Sequence, residues 1–124
     1  MTKPYGFRIA SKEAAKSSHS QHRLGAVIVK GSRILSAGYN DIYRSSRLLH
    51  VNTLHAEAAA ILKLLKEKRL SDLCGSELYV TRFTRGGSVG CSKPCAACMD
   101  LIRSVGIKKV HYINTKGITE TTRC

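Results

Sequence analysis

Apolar positions along this chain alternate between two periods. In Phe7–Ser18 the residues Ile9, Ala10, Ala14 and Ala15 fall on or near one side of a helix, before the polar run SSHSQHR breaks it. LGAVIVKGSRILSAGY then gives two short β-branched or apolar runs either side of Lys30–Gly31–Ser32–Arg33, which predicts a hairpin of Gly25–Val29 with Arg33–Tyr39. Asn40–Thr53 has no period and is rich in Arg and Ser. Helical spacing returns from His55 to Arg69, with Ala58, Ile61, Leu62 and Leu65 as the apolar stripe and Lys63, Lys66, Glu67, Lys68 and Arg69 mostly on the wet side. Glu77–Phe83 is the next strand, and TRGGSVGCSKP is a loop with three glycines. Cys95–Val105 is a third helix stopped by Gly106, and Lys108–Ile113 is a fourth strand. From Asn114 the tail is polar, rich in Thr, and adds no element.

The order is therefore α-β-β-α-β-α-β. Late strands that alternate with helices need crossover connections and parallel pairing, while the opening hairpin supplies an antiparallel pair. The expectation is an α/β fold: a three-layer α/β/α sandwich around a mixed central sheet. No repeat, low-complexity segment or linker interrupts the chain, so residues 1–124 read as a single domain.

Composition narrows the setting. A chain of 124 residues, 43% of them hydrophobic, suits one folded domain with a modest core. No apolar run approaches the roughly 20 residues of a membrane span, so no membrane partner is expected. Met1–Arg8 is polar and lacks the apolar stretch of a secretory signal, which predicts an intracellular protein, cytoplasmic or nuclear, with reduced thiols. Five cysteines is an odd count, and one is the last residue, so metal binding is a better first reading than a disulfide framework. Lys and Arg number 21 against 8 Asp and Glu, a formal charge of +13 that favours anionic partners such as nucleic acid or nucleotides.

Cys95 and Cys98 form C-x-x-C, which suits a redox pair, half a zinc ribbon or two ligands of a catalytic zinc. A second C-x-x-C is absent, which disfavours the ribbon, and the motif follows the third strand, late for a redox pair. His55 is the strongest candidate for a third ligand. It opens one predicted helix with Glu57 as Cys95 and Cys98 open another, and helix N-termini favour thiolate. Three protein ligands would leave a fourth position for water, the arithmetic of a catalytic zinc site, with Glu57 as the nearby base. Cys91, four residues before Cys95, is either a fourth ligand, which would close the site to water, or a free loop thiol; Cys74 reads as a small packing residue and Cys124 as incidental. His19, His22 and His111 lack ligand spacing and read as surface or strand residues, as does His50, which lies in the loop five residues before His55.

HAE followed by PCAAC resembles the zinc-dependent cytidine and deoxycytidylate deaminase superfamily, whose signature is H-x-E…P-C-x-x-C. LGAVIVKGSRILSAGYN is similar to that family's opening hairpin and its G-x-N end, and ELYVT and GIKKVHYI to its third and fourth strands. The resemblance implies a cytidine deaminase-like fold and a hydrolytic deaminase with Zn2+ held by His55, Cys95 and Cys98. It implies that Glu57 shuttles protons during attack of activated water on the amino-bearing ring carbon. It also implies substrate contacts from Asn40 and from backbone groups near Ala56 and Pro94. Ala59 departs from an asparagine common in the deoxycytidylate branch, which weakens assignment to free nucleotides.

Two loops lead into the ligand helices. Arg82–Lys93 carries Arg82, Phe83, Arg85 and Lys93, and Asn40–Thr53 carries Tyr43, Arg44, Arg47 and His50. Cations with interleaved aromatics suit phosphate contacts and base stacking. With the +13 charge they make single-stranded DNA or RNA the expected cytosine source, with Arg82, Arg85 and Lys93 on the substrate. Free cytidine or deoxycytidylate is the alternative, then tRNA adenosine, and last a non-catalytic nucleic-acid-binding module, for which Glu57 would have no use. The short stretch after the fourth strand suits a small ligand or a homo-oligomer.

Overall fold

The computed structural model describes residues 4–17, 22–40, 55–84 and 88–124. The elements in chain order are α1 (Pro4–Ala14), β1 (His22–Lys30), β2 (Arg33–Tyr39), α2 (Ala56–Lys66), α3 (Leu70–Leu73), β3 (Glu77–Thr84), α4 (Ala96–Ser104), β4 (Lys109–Ile113) and β5 (Thr119–Arg123). The sheet runs β2-β1-β3-β4-β5. Only the pair joined by a helical crossover, β3 with β4, is parallel; the others are antiparallel. The mixed sheet is thus the one expected from the element order.

Alternation along β1 divides the core. Val27 and Val29 face α1, where they pack with Ala10 and Tyr79 and with the partly buried Tyr5, Phe7 and Ile9. Ala26 and Ile28 face the other way, into a larger cluster with Ile61 and Leu64 of α2, Leu73 of α3, Leu78 and Val80 of β3, Ile102 of α4, and Val110 and Tyr112 of β4. Each fully buried aliphatic side chain there is worth roughly 1.5–3 kcal/mol of transfer free energy. Helices therefore cover both faces, and the three layers are α1, the sheet, and α2 with α3 and α4.

Two glycines let helix backbones lie directly on the sheet. A Cβ on Gly25 of β1 would sit 1.9 Å from the Ala10 carbonyl oxygen and 2.4 Å from the Ala14 nitrogen. One on Gly38 of β2 would sit 2.6 Å from the Ala60 nitrogen and 2.8 Å from the Ala56 oxygen. The second contact explains why α2 begins with small residues: Ala56, Glu57, Ala58, Ala59, Ala60 and Ile61 are all buried, so the helix is enclosed on every side over its first turns. That widens the expected stripe. Ala58 and Ile61 are buried, Leu64 joins them, and Leu62 and Leu65 are only half-buried.

Four details differ from the sequence reading. The first helix starts at Pro4 and ends at Ala14. The helix expected through Arg69 stops at Lys66 and restarts as α3, with Lys68 between them at φ 58°. The tail forms β5, antiparallel to β4 from Lys109↔Arg123 to Ile113↔Thr119. Its turn is built by Asn114, whose Oδ1 accepts the Lys116 and Ile118 amides at 2.9 and 3.1 Å. Cys74 packs against nothing that buries it; it is exposed where α3 turns towards β3.

His111 is a strand residue, as expected, but a buried one. Its ring stacks on Tyr79 of β3, with centroids 4.3 Å apart. Its Nε2 lies 2.8 Å from a Glu77 carboxylate oxygen and its Nδ1 2.7 Å from the Thr121 hydroxyl. One imidazole thereby ties β3, β4 and β5 together. Among the described residues no helix is long and apolar enough to cross a membrane.

Candidate metal centre

His55 and Cys95 occupy equivalent places. Each is the extended residue that caps a helix, α2 for His55 (φ −75°, ψ 152°) and α4 for Cys95 (φ −69°, ψ 168°). Such positions usually hold Ser, Thr, Asp or Asn, whose side chain bonds back to a helix amide. Neither His55 nor Cys95 caps its own helix in that way. Instead the two side chains face one another across the join between α2 and α4, with His55 Nδ1 3.8 Å from Cys95 Sγ. Cys98, three residues into the same face of α4, brings its Sγ to 3.2 Å from that nitrogen.

The three donor atoms all lie within 4.8 Å of one another, the one such group of potential metal ligands among the described residues. A tetrahedral zinc bound by one imidazole and two thiolates would hold nitrogen and sulfur about 3.6 Å apart. The observed separations of 3.2 and 3.8 Å straddle that value, so the donor set fits zinc in identity and in size. Cys91 is half-buried in the preceding loop and stands outside the group.

The electrostatics need a cation. Cys98 is fully buried, and burial pushes its thiol far up, with the neighbouring Glu57 and Cys95 adding to the effect. A thiolate there is sustained only by a positive charge beside it. Glu57, in the first turn of α2, is 3% exposed. Burial raises its carboxyl above the ordinary carboxylate range, while its own backbone amide, His55 and the Cys98 thiol pull in the opposite direction. A buried carboxyl whose hold on a proton is strengthened by burial thus stands beside the three donors.

The other expected site residues fall in three groups. Ala56 and Pro94, each next to a helix cap, are buried. Asn40 and Arg82 lie at one level across the sheet. Leu24 of β1 pairs with Arg82 of β3 on one side and accepts the Asn40 amide at 3.2 Å on the other. Asn40 is 4% exposed and more than a turn residue, since its Oδ1 accepts the Leu24 N–H at 2.8 Å. Arg82 is half-buried and donates from Nη1 to the Cys91 carbonyl at 3.3 Å, while Lys93 is exposed. Arg85, with Tyr43, Arg44, Arg47 and His50, lies outside the described residues.

Ser92 was not legible as a site residue. It is fully buried between the parted ends of β3 and β4. Its N–H donates to the Ile113 carbonyl and its Oγ accepts the Ile113 N–H, both at 2.8 Å, and its hydroxyl donates to the Val80 carbonyl at 2.7 Å. It thereby pegs the approach to Cys95. A serine in a loop carries no spacing signal, so nothing in the sequence marks it.

A paired-helix site of this kind, with His and Cys at the two caps on a mixed sheet, has the donor set of a three-ligand zinc centre. The family described as "Cytidine and deoxycytidylate deaminase zinc-binding region" matches residues 2–114, and the chain belongs to it. It is 32% identical to the deoxycytidylate deaminase of Mycobacterium phage D29, over 87% of this chain and 91% of that one. The crystal structure of a deoxycytidylate (dCMP) deaminase from cyanophage S-TIM5 has a TM-score of 0.70 and 30% identity, covering 94% of this chain and 90% of that one. A cytidine deaminase from Burkholderia pseudomallei shares the fold, with a TM-score of 0.72 at 22% identity over 99% and 93% of the two chains. The chain is accordingly an enzyme of the cytidine deaminase type that uses Zn2+.

Proposed function

We propose that this enzyme hydrolyses the amino group of cytosine in a free nucleotide or nucleoside, deoxycytidylate being the first candidate, and that one domain spanning 1–124 carries the site. The observation that carries the reading is the buried Glu57 carboxyl beside three donors within 4.8 Å of one another. His55, Cys95 and Cys98 hold the zinc. When bound, the ion supplies Lewis acidity that makes a water nucleophilic near neutral pH. Glu57 would take the two protons of the attacking water in turn, passing one to the ring nitrogen and the other to the departing amino group, so that cytosine and water give uracil and ammonia. Backbone groups at the buried Ala56 and Pro94 grip the pyrimidine edge, Asn40 contacts the sugar, and Arg82, Lys93 and Arg85 meet the phosphate.

The free-molecule reading rests on likeness to the phage deoxycytidylate deaminase, a chain of similar extent. The charge of +13 favours a second reading, cytosine in single-stranded DNA or RNA. One activity panel read by mass change separates them: cytosine, cytidine, deoxycytidine, their monophosphates, single-stranded DNA, RNA and tRNA. Turnover of the small molecules alone supports the first reading. Turnover confined to strands, with binding that weakens steeply in salt, replaces it with the second.

A further inference from the structure

We infer that the α1 side of the sheet, the face turned away from the zinc donors, is a docking surface for nucleic acid held by its phosphates; the inference goes beyond the choice of substrate and stands for either reading of it. The signal is where the charges sit. Within α1 the exposed residues are Arg8 and Lys12, and Lys16, just past its end, continues the spacing. Four residues apart, the three advance about 6 Å per step along one outward ridge. Strand alternation adds to them. Arg23 shares the face of Gly25, which lies against Ala10 and Ala14. Lys109 and its partner Arg123 share the face of His111, which stacks on Tyr79, a residue packed under Phe7 and Ala10 of α1.

Among the described residues no exposed acid balances these cations. Glu13 is buried and paired with Lys16 at 2.6 Å, and Glu77 is turned in to His111. The other described acids lie elsewhere: Glu57 beside the donors, Glu67 and Asp72 around Arg69, Asp100 on α4, and Glu120 opposite Tyr112 on the α4 side of the sheet. The charge of +13 is therefore segregated by face, an arrangement that raises a potential of one sign and draws in a polyanion. A nucleotide bound at the zinc has no use for cations on this face. The ridge also lacks what a helix needs to lie in a membrane surface, because Tyr5, Phe7 and Ile9 are turned into the core. A second copy of the same face would set like charge against like. The ridge leads to Ser17, whose hydroxyl donates to the Asn40 carbonyl at 2.9 Å. The surface thus begins at the edge of the site and extends away from it on the opposite face.

The test is fluorescence anisotropy of a labelled oligothymidylate, which has no exocyclic amine to lose, so that binding is read apart from turnover. The Arg8→Gln/Lys12→Gln/Arg123→Gln variant removes three cations from the face and leaves the pair of Glu13 with Lys16 intact. The Lys66→Gln/Arg103→Gln/Lys108→Gln variant removes three exposed cations from the α2 and α4 side. Each phosphate contact to a single strand carries a salt slope of about 0.7. The first variant should therefore lose about 2 from the slope of log affinity against log salt, and up to about a hundredfold in affinity at about 0.1 M salt. The second should bind within about threefold of wild type. Both should keep wild-type zinc content. Equal losses in the two variants would mean a diffuse cationic field with no docking face and would overturn the inference, as would wild-type binding by the first. Wild-type protein that binds phosphatidylserine vesicles and not the oligomer would assign the face to a membrane and overturn it too. If the first variant melts low, Lys12→Glu, a single change on the exposed side of α1, decides: a loss of about tenfold or more upholds the inference, and unchanged affinity overturns it.

Discussion

The Ser92 hydroxyl donates to the Val80 carbonyl at 2.7 Å, three residues before Cys95. β3 and β4 pair in parallel only from Glu77↔Lys109 to Tyr79↔His111. Beyond that point they part, and Ser92 fills the place of a missing rung by serving Val80 on one strand and Ile113 on the other. The crevice at the carboxyl ends of parallel strands is where α/β proteins place ligand sites, and here the peg in the crevice leads straight to the cap of α4. Ser92→Ala strands a buried carbonyl and a buried N–H, at a cost of about 1–3 kcal/mol. It should also loosen Cys95 and speed zinc loss to a chelator. Ser76→Ala is the control: its hydroxyl is equally buried and bonds to the Leu73 carbonyl at 2.6 Å, near the start of β3. It should destabilise the fold without changing zinc release. Equal zinc release in both variants would remove Ser92 from the metal loop.

The ligand set and the proton shuttle separate by variant. Cys98→Ser should leave the purified chain with little of the roughly one zinc per site expected for three-ligand coordination, measured by elemental analysis. Glu57→Gln should retain zinc and the melting temperature and lose deamination by several orders of magnitude, because a neutral amide cannot carry protons. Zinc retained at wild-type level in Cys98→Ser would discard the ligand set, and turnover retained in Glu57→Gln would discard the shuttle.

Metal removal should expose one ligand cysteine and not the other. Cys95 is exposed at the helix cap, whereas Cys98 is fully buried beneath it. After chelation, iodoacetamide should label Cys95 along with the exposed Cys74 and Cys124, while Cys98 lags. With zinc bound, Cys95 should be protected and the other two should not. Peptide mapping by mass reads this directly; Cys95 labelled at one rate with and without metal contradicts its place at the ion.

What the sequence displayed was periodicity and spacing. The hairpin, α2 and α4 came through because each has an apolar side, and His55, Cys95 and Cys98 came through because C-x-x-C and H-x-E are fixed spacings on helix starts. β5 did not, because Thr119–Arg123 is an edge strand exposed along nearly all its length, so no alternation is written into it. α3 has four residues, too few for a period. Ser17 and Ser92 were invisible for a different reason: their bonds reach Asn40, Val80 and Ile113, and depend on how separate elements meet. Charge was visible, but its placement was not, since a count of +13 says nothing about which cations line the site.

The close approach of β2 to α2 gives a stability prediction with a functional edge. A Cβ at Gly38 would press on the Ala60 nitrogen and Ala56 oxygen, both backbone atoms that cannot rotate aside. Gly38→Ala should cost about 1–3 kcal/mol or more as α2 is pushed off the sheet. Because His55 caps that helix, zinc affinity should fall as well, unlike in Ser76→Ala. A folded Gly38→Ala variant with unchanged melting temperature would contradict the packing.

Stability should also carry a pH signature away from the metal. Arg69 Nε lies 2.8 Å from Asp72 Oδ2, and this hydrogen bond, with the Arg69 charge and that of Arg33, holds the Asp72 carboxyl below its ordinary value. A carboxyl whose pKa is depressed by folding stabilises the native state wherever it is ionised in both states. That benefit is full above the unfolded value of about 3.9 and is lost as pH falls through the lower, folded value. Asp72→Asn should therefore melt below wild type at neutral pH, by a modest amount because the pair is partly exposed to solvent. The gap should narrow only once pH drops below about 4. Thermal melts of the two proteins across that range measure it. A gap that stays constant through acid would mean that Asp72 acts by packing at the start of α3 and not by its charge.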